Sequence, residues 1–280
     1  MARNLLEGWH DGNRWYRPTR VHYTSRMSLS TDSPPSPVLA VDVGATFIKY
    51  CSVDLHGHLL HETTRRRTPY PCWPETLVDV LADVINEKSH DRVGVGFPGD
   101  MCEGRVLEPG NLSRAGGITT PIDPLIEKSW LGYDIQGELQ LRCRAQVRVV
   151  NDATLAAYGY ALGRGRELVF TLGTGLGISL VVEGQWQKIR DVGSAMYRNV
   201  GTYDEVFGEP ARALDEGVWR ERLTDAITGF VGEFHSDLVH VGGGNARHLQ
   251  QADLASIGCA VVFNNNEGTL RGAARLFVDQ

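Results

Sequence analysis

Val38-Leu-Ala-Val-Asp42-Val-Gly44-Ala-Thr46-Phe-Ile-Lys49-Tyr-Cys-Ser-Val53 sets two apolar, strand-like runs on either side of a tight Asp-Val-Gly-Ala-Thr corner. The pattern predicts a β-hairpin whose turn holds a phosphate. Gly44 lets the backbone approach a ligand closely. Turn N–H groups and the Thr46 hydroxyl suit phosphate oxygens, and Asp42 suits a magnesium ion, directly or through water. Lys49 either neutralises part of the phosphate charge or points to solvent. The plain alternative is an ordinary hairpin with an aspartate in its turn.

A second corner has the same form. Leu168 to Leu172 runs into Gly173-Thr174-Gly175, and Gly177 to Val182 runs out again. Alternating glycines weaken a strand through lost entropy and packing, so their presence implies a backbone kept open for a ligand. A third corner, Gly242-Gly243-Gly244, follows the strand-like Leu238 to Val241. It suits a nucleotide's base or phosphate at a helix N-terminus, or simply a tight strand-to-helix connection. Two matching hairpins, each followed by mixed β and α segments, predict two related lobes facing a cleft.

Between the first two corners the chain alternates. A third short run is expected around Gly57 to Glu62. A helix opening at Trp73-Pro74 has Leu77, Val80, Leu81, Val84 and Ile85 on one face. Strands are expected at Arg92–Phe97, 104–107 and 147–150, with an irregular loop from Asn111 to Pro124 and a helix near 134–142. Asn151-Asp152 caps an Ala-rich helix. Asp152 is the candidate catalytic base, because a carboxylate at a helix N-terminus is ionised and suited to accept an alcohol proton. Phosphoryl transfer needs positioning more than a strong base. Asn151 would hold a neighbouring hydroxyl, or both residues merely cap the helix. Asp191 to Pro210 shows no clear pattern. Helices are expected at 218–234 and 267–277, and a strand at 259–263.

The bulk numbers exclude several classes. The 280 residues carry a net charge of −6, which argues against a nucleic-acid binder driven by phosphate neutralisation. No apolar run is long enough to span a membrane. Five scattered cysteines without a C-x-x-C pair suit reduced thiols and a cytoplasmic location, and predict no zinc. Residues 1–37 read as a disordered tail with a Ser/Pro linker, within which Met27 is an alternative start. Gly94-Val-Gly96-Phe-Pro-Gly99 fits the dinucleotide fingerprint literally but lacks the helix that fingerprint opens.

The segments Asp42–Thr46 with Lys49, Gly96–Gly99, Asn111, Asn151-Asp152-Ala, Leu172–Gly177 and Val241–Gly244 together resemble the ROK family of the actin-like sugar kinases. The Thr68-Pro-Tyr-Pro run is similar to the polyphosphate glucokinase branch. The resemblance implies an α/β, two-lobed actin-like (ribonuclease H-like) fold with a central cleft, the lobes covering 38–150 and 151–280 and the final helix returning to the first. It implies a phosphotransferase acting from ATP or polyphosphate, with Mg2+, on a hydroxyl of a hexose-like sugar, and a homodimer. Asp152 would be the base. Gly99, Asn111, Asn151, Asp191 and Ser194 would contact the polyol substrate. Asp42, Gly44, Thr46, Lys49, Gly173, Thr174, Gly175, Gly242, Gly243 and Gly244 would hold the donor. The family's E-x-G-H element is here Asp191-Val-Gly193-Ser194. That departure opens two alternatives: a cyclitol or other non-glucose polyol as acceptor, or a non-catalytic sugar sensor or degenerate kinase.

Overall fold

The computed structural model describes residues 36–187, 189, 192–265 and 267–277. Asp191 and all but the last two residues of the expected 1–37 tail lie outside the described residues. The chain opens with β1 (Val38–Val43), β2 (Phe47–Val53), β3 (Thr64–Arg67), α1 (Pro74–Lys88) and β4 (Arg92–Phe97). A hairpin of β5 (Asp100–Cys102) and β6 (Arg105–Glu108) precedes α2 (Pro124–Trp130), α3 (Ile135–Cys143), β7 (Gln146–Asn151) and α4 (Asp152–Tyr160). The second half runs β8 (Arg166–Leu172), β9 (Leu176–Val182), β10 (Gln185–Gln187), β11 (Met196–Tyr197) and β12 (Gly201–Thr202). It continues with α5 (Tyr203–Phe207), α6 (Glu209–Leu214), α7 (Glu216–Phe234), β13 (Leu238–Gly242), β14 (Ala260–Phe263) and α8 (Gly268–Arg275).

The strands form two five-stranded sheets of one topology, β3-β2-β1-β4-β7 and β10-β9-β8-β13-β14. In each, the first three strands are antiparallel and the rest run parallel to the central one. The two glycine corners therefore occupy equivalent places, the β1–β2 and β8–β9 turns. In open sheets of this kind, ligands bind beyond the carboxyl ends of the parallel strands. Here those ends carry Asp42, Phe97-Pro98-Gly99, Asn151, Leu172 and Gly242.

Each sheet has its own core. The first buries Leu39, Val41, Val93 and Val95 against Leu77, Leu81 and Ile85 of α1 and Trp130 of α2. The second packs Leu168, Phe170 and Val239 on Trp219, Leu223 and Ile227 of α7. α4 joins them. Its Leu155 packs with Val38 and Ala40 of β1, while Ala156, Ala157 and Tyr160 pack on Val169 and Val181. α8 closes the chain against the first sheet through Leu270, Ala273 and Ala274.

Glycine sets how closely α4 and α8 cross. A Cβ on Gly159 would lie 1.7 Å from the Gly268 carbonyl oxygen, and one on Gly272 would lie 1.9 Å from that of Leu155. The dinucleotide-like glycines do related work: a Cβ on Gly94 would meet Ala273, and one on Gly96 would meet Leu155. Gly159→Ala tests the crossing. In an open helix the change would gain about 1 kcal/mol. Here overpacking costs about 1–3 kcal/mol, and at ~2–4 °C per kcal/mol the melting temperature falls by several degrees. A rise would show that the helices do not meet at this residue.

Three expectations differ from the structure. The run at Gly57–Glu62 is a turn, with only a single bridge between Val53 and Leu59. Asp54 builds that turn, its carboxylate accepting from the N–H groups of His56 and His58 at 2.8 Å each. The third strand lies later, at Thr64–Arg67. The expected loop from Asn111 to Pro124 begins as a 3-10 turn over Gly110–Ser113. It ends where Asp123 caps α2 by accepting from Leu125 and Ile126. The unpatterned stretch from Asp191 to Pro210 contains α5 and the start of α6.

Candidate active site

In both corners the carbonyls are engaged by groups from outside the turn. In the first, the Thr68 hydroxyl donates to the Gly44 carbonyl at 2.6 Å and its N–H to the Thr46 carbonyl at 3.1 Å. The Tyr70 hydroxyl donates to the Ala45 carbonyl at 2.9 Å. Burial raises the Tyr70 pKa to about 12, which keeps it a donor. The Thr68-Pro-Tyr-Pro run is thus the buttress of this corner. With its carbonyls tied back, the N–H groups of Ala45 and Thr46 have no acceptor among the described residues. An anion would find them unpaired.

The second corner is held from behind in the same way. The Gly173 carbonyl accepts from the Asn245 side chain at 3.0 Å and from the Glu209 N–H at 3.1 Å. Gly208 seats against the Thr174 carbonyl, where a Cβ would come within 2.1 Å. The N–H groups of Thr174 and Gly175 have no acceptor among the described residues. The third corner divides. A Cβ on Gly242 would strike the Tyr160 ring at 2.6 Å, so this glycine serves packing and does not line the cavity. Gly243, at φ +87°, crosses the backbone of Leu172, and Gly244 stands open. Both border the cavity.

One cavity of about 700 Å³ collects these parts, a size typical of small-molecule sites. Asp42, Gly44, Thr46 and Lys49 line it from the first corner, Gly173, Thr174 and Gly175 from the second, and Gly99, Asn111, Asn151, Asp152 and Ser194 from the remaining wall. Asp42 is 9% exposed and pairs with Lys49 at 3.2 Å. Lys49 therefore points into the cleft. Among the described residues no three His, Cys, Asp or Glu side chains converge as a metal cluster. One or two carboxylates plus substrate phosphates are what magnesium usually takes, so Asp42 beside two glycine corners with unpaired N–H groups fits that ion.

The opposite wall is built by a crossing of two loops. A Cβ on Gly99 would lie 2.1 Å from the Glu108 carbonyl oxygen, and one on Gly110 would lie 2.3 Å from that of Pro98. This contact brings Asn111 to the end of β7. The Asn151 carboxamide oxygen caps α4, accepting from Ala153 at 2.9 Å and Thr154 at 3.2 Å. Its nitrogen donates to the Gly99 carbonyl at 3.0 Å. Its polar atoms are thus engaged in shaping the wall. The Asn111 oxygen accepts from Arg114 at 2.8 Å, and its amide nitrogen makes no hydrogen bond among the described residues. Asp152 opens α4, its Oδ1 accepting from the Ala153 N–H at 2.7 Å.

Asp204 is the residue sequence reasoning missed. It lines the cavity, and its Oδ1 accepts from the Leu176 N–H at 2.9 Å, anchoring the second corner. Its own N–H donates to the Gly193 carbonyl at 3.0 Å. A Cβ on Gly175 would fall 2.0 Å from that carboxylate, which explains the middle glycine. The sequence signal was the capping box, Thr202 to Glu205, that starts α5. Asp204→Ala removes a charge-assisted hydrogen bond worth roughly 1.5–3 kcal/mol, so the affinity of this corner for an anion such as tripolyphosphate is expected to fall about ten- to hundred-fold. Asp204→Asn keeps an accepting oxygen and should restore most of the loss. Equal affinity in wild type and Asp204→Ala would remove the anchor.

Paired glycine corners and a carboxylate at a helix N-terminus lining one cavity, on two sheets of one topology, mark an actin-like sugar-kinase fold. The chain belongs to the ROK family, whose profile matches residues 38–190, more than half of it. It is 30% identical over 151 residues to a glucokinase from Streptomyces coelicolor. That match takes in 51% of this chain and 43% of the relative, so the chain matches less than half of that protein's length. An inorganic polyphosphate/ATP-glucomannokinase from Arthrobacter sp. strain KM superposes with a TM-score of 0.72 at 29% identity, covering 86% of this chain and 98% of that one. A ROK family glucokinase from Streptomyces griseus, in complex with glucose and AMPPNP, shares the fold with a TM-score of 0.67 at 19% identity, over 86% and 98% of the two chains. No described helix is long and apolar enough to cross a membrane.

Proposed function

We propose that the chain is a kinase moving the terminal phosphoryl group of ATP or polyphosphate to a hydroxyl of a hexose-like sugar. The observation that carries this reading is the presence of Asp152 in one cavity with both glycine corners. The acceptor oxygen forms a bond to the terminal phosphorus as that phosphorus parts from its bridging oxygen. Asp152 takes the hydroxyl proton. The N–H groups of Ala45, Thr46, Thr174 and Gly175 bear on the charge of the phosphates, with Lys49 beside them. Magnesium, when bound near Asp42, would neutralise phosphate charge. Asn111 offers its amide nitrogen, and Ser194 its hydroxyl, to the acceptor.

Support comes from two similar proteins, a glucokinase and a polyphosphate/ATP-glucomannokinase. The acceptor is the more open half of the reading. Asp191-Val-Gly193-Ser194 stands where the family carries E-x-G-H, and a missing hydrogen-bond partner for a buried sugar hydroxyl costs roughly 1–3 kcal/mol. This favours a cyclitol or a differently hydroxylated sugar as the second reading. A panel of hexoses, amino sugars and cyclitols with ATP and with polyphosphate decides between them. Glucose as the best acceptor would set the second reading aside. Transfer to no acceptor would set both aside and leave the sensor.

A further inference from the structure

The strand that sequence reasoning misplaced carries an unexplained charge. β3 is Thr64-Arg65-Arg66-Arg67, exposed at all four residues, on the edge of the first sheet. In register, Arg65 lies opposite Lys49 and Arg67 opposite Phe47, while Lys49 lies opposite Asp42. Directly opposed residues share a face. Arg65 and Arg67 therefore stand on the same face as Asp42, Phe47 and Lys49, all three of which line the cavity. Arg66 points the other way and meets Asp83 at 3.4 Å. Arg67 lies over the Phe47 ring, 5.3 Å from its centroid. Neither Arg65 nor Arg67 is ion-paired with a carboxylate among the described residues. The row is joined to the first corner, because the residue after Arg67 is Thr68, which holds the Gly44 and Thr46 carbonyls.

Two unpaired guanidiniums leading out of a phosphate corner, on a chain of net charge −6, call for an anion longer than the one the corner holds. Their side chains leave the strand about 7 Å apart, two residues along an extended backbone. The third corner, by contrast, gives a nucleotide base little ground. Gly242 is taken by Tyr160, Asn245 is 5% exposed and tied to Gly173, and of the described residues after Gly244 in the chain Thr269 alone lines the cavity. The geometry points to a track for a linear polyphosphate, running from the first corner across Lys49 to Arg65 and Arg67. This rests on the kinase reading for the direction of the chain, whose terminal unit sits at the corner and whose remainder lies along β3.

The test is direct binding of inorganic polyphosphate of increasing length to the full chain, beside transfer assays with ATP and with polyphosphate. Long polyphosphate is expected to bind roughly ten-fold tighter than tripolyphosphate, with affinity falling steeply as salt rises. The pair Arg65→Gln and Arg67→Gln should abolish that gain with length and flatten the salt dependence by roughly one to two log units per log unit, leaving ATP-supported transfer within about two-fold. Arg66→Gln, on the other face, should change neither. Binding that does not grow with length, or that grows equally in the double variant, overturns the track while ATP-supported transfer still sustains the kinase reading. Length-dependent binding through Arg65 and Arg67 without transfer from any donor would keep the track and remove the kinase. Equal, arginine-dependent binding of single-stranded RNA would overturn polyphosphate as its occupant.

Discussion

Asp152→Asn is expected to lower kcat by about 10²- to 10⁴-fold, the usual contribution of a positioned general base. The substitution is nearly isosteric. The new side chain keeps an oxygen that can accept from the Ala153 N–H, so the first turn of α4 stays capped together with Asn151. What disappears is the ability to take a proton from the acceptor hydroxyl. In the proposed reading donor binding rests on the N–H groups of the two corners, which the substitution leaves in place, so donor KM should move little. The melting temperature should stay close to that of the wild type. A fall in kcat accompanied by an equal fall in stability would mean that the residue only caps a helix.

Glu167→Ala is expected to have the largest effect on stability. Glu167 and His240 are both fully buried and meet at 2.8 Å. The carboxylate also accepts from the N–H groups of Leu162 and Gly163 at 2.7 Å and of Arg164 at 3.0 Å. Asn264 lies 3.3 Å from the other nitrogen of His240. Truncation strands the buried His240 imidazole and removes the acceptor of three backbone N–H groups in the exposed 162–164 loop. Breaking a buried pair costs about 3–5 kcal/mol, or roughly 6–20 °C for a domain of this size. The loop it releases follows α4 and ties that helix to β8, so catalytic geometry suffers as well.

The sign of the pH dependence follows from the same contacts. Burial pushes the Glu167 carboxyl up, but the backbone donors and His240 outweigh it and hold it below its ordinary 4.5. A depressed carboxyl contributes stability that is complete above the unfolded value and is lost as pH falls through the folded one. The margin in melting temperature between wild type and Glu167→Ala should therefore narrow as the pH falls below about 5. Thermal scans across that range test this. A margin that widens on acidification would contradict it.

The parts of the fold legible in sequence were those governed by local pattern. Val38–Val53 and Leu168–Val182 declare themselves by apolar runs broken at glycine corners, and Asn151-Asp152 by cap chemistry. β3 was hidden because all four of its residues are polar and exposed, so no period of burial marks it. α2 was marked only by Asp123 and Pro124, a cap without an amphipathic run. Asp204 was hidden because its partners, Leu176 and Gly193, are brought to it by the fold. Spacing also cannot tell a glycine that faces a ligand from one that faces a ring. Gly173 and Gly242 look alike in sequence, yet one lines the cavity and the other packs on Tyr160.

The central claim is that Asp152 and the two glycine corners together transfer phosphate to a polyol. The most direct measurement incubates the protein with terminally labelled ATP or polyphosphate and the acceptor panel, and counts labelled phosphate ester. The wild type is expected to yield labelled ester with at least one hexose or cyclitol, and Asp152→Asn about a hundredth of it or less. No labelled ester with any acceptor, or equal amounts from the two proteins, would contradict the account.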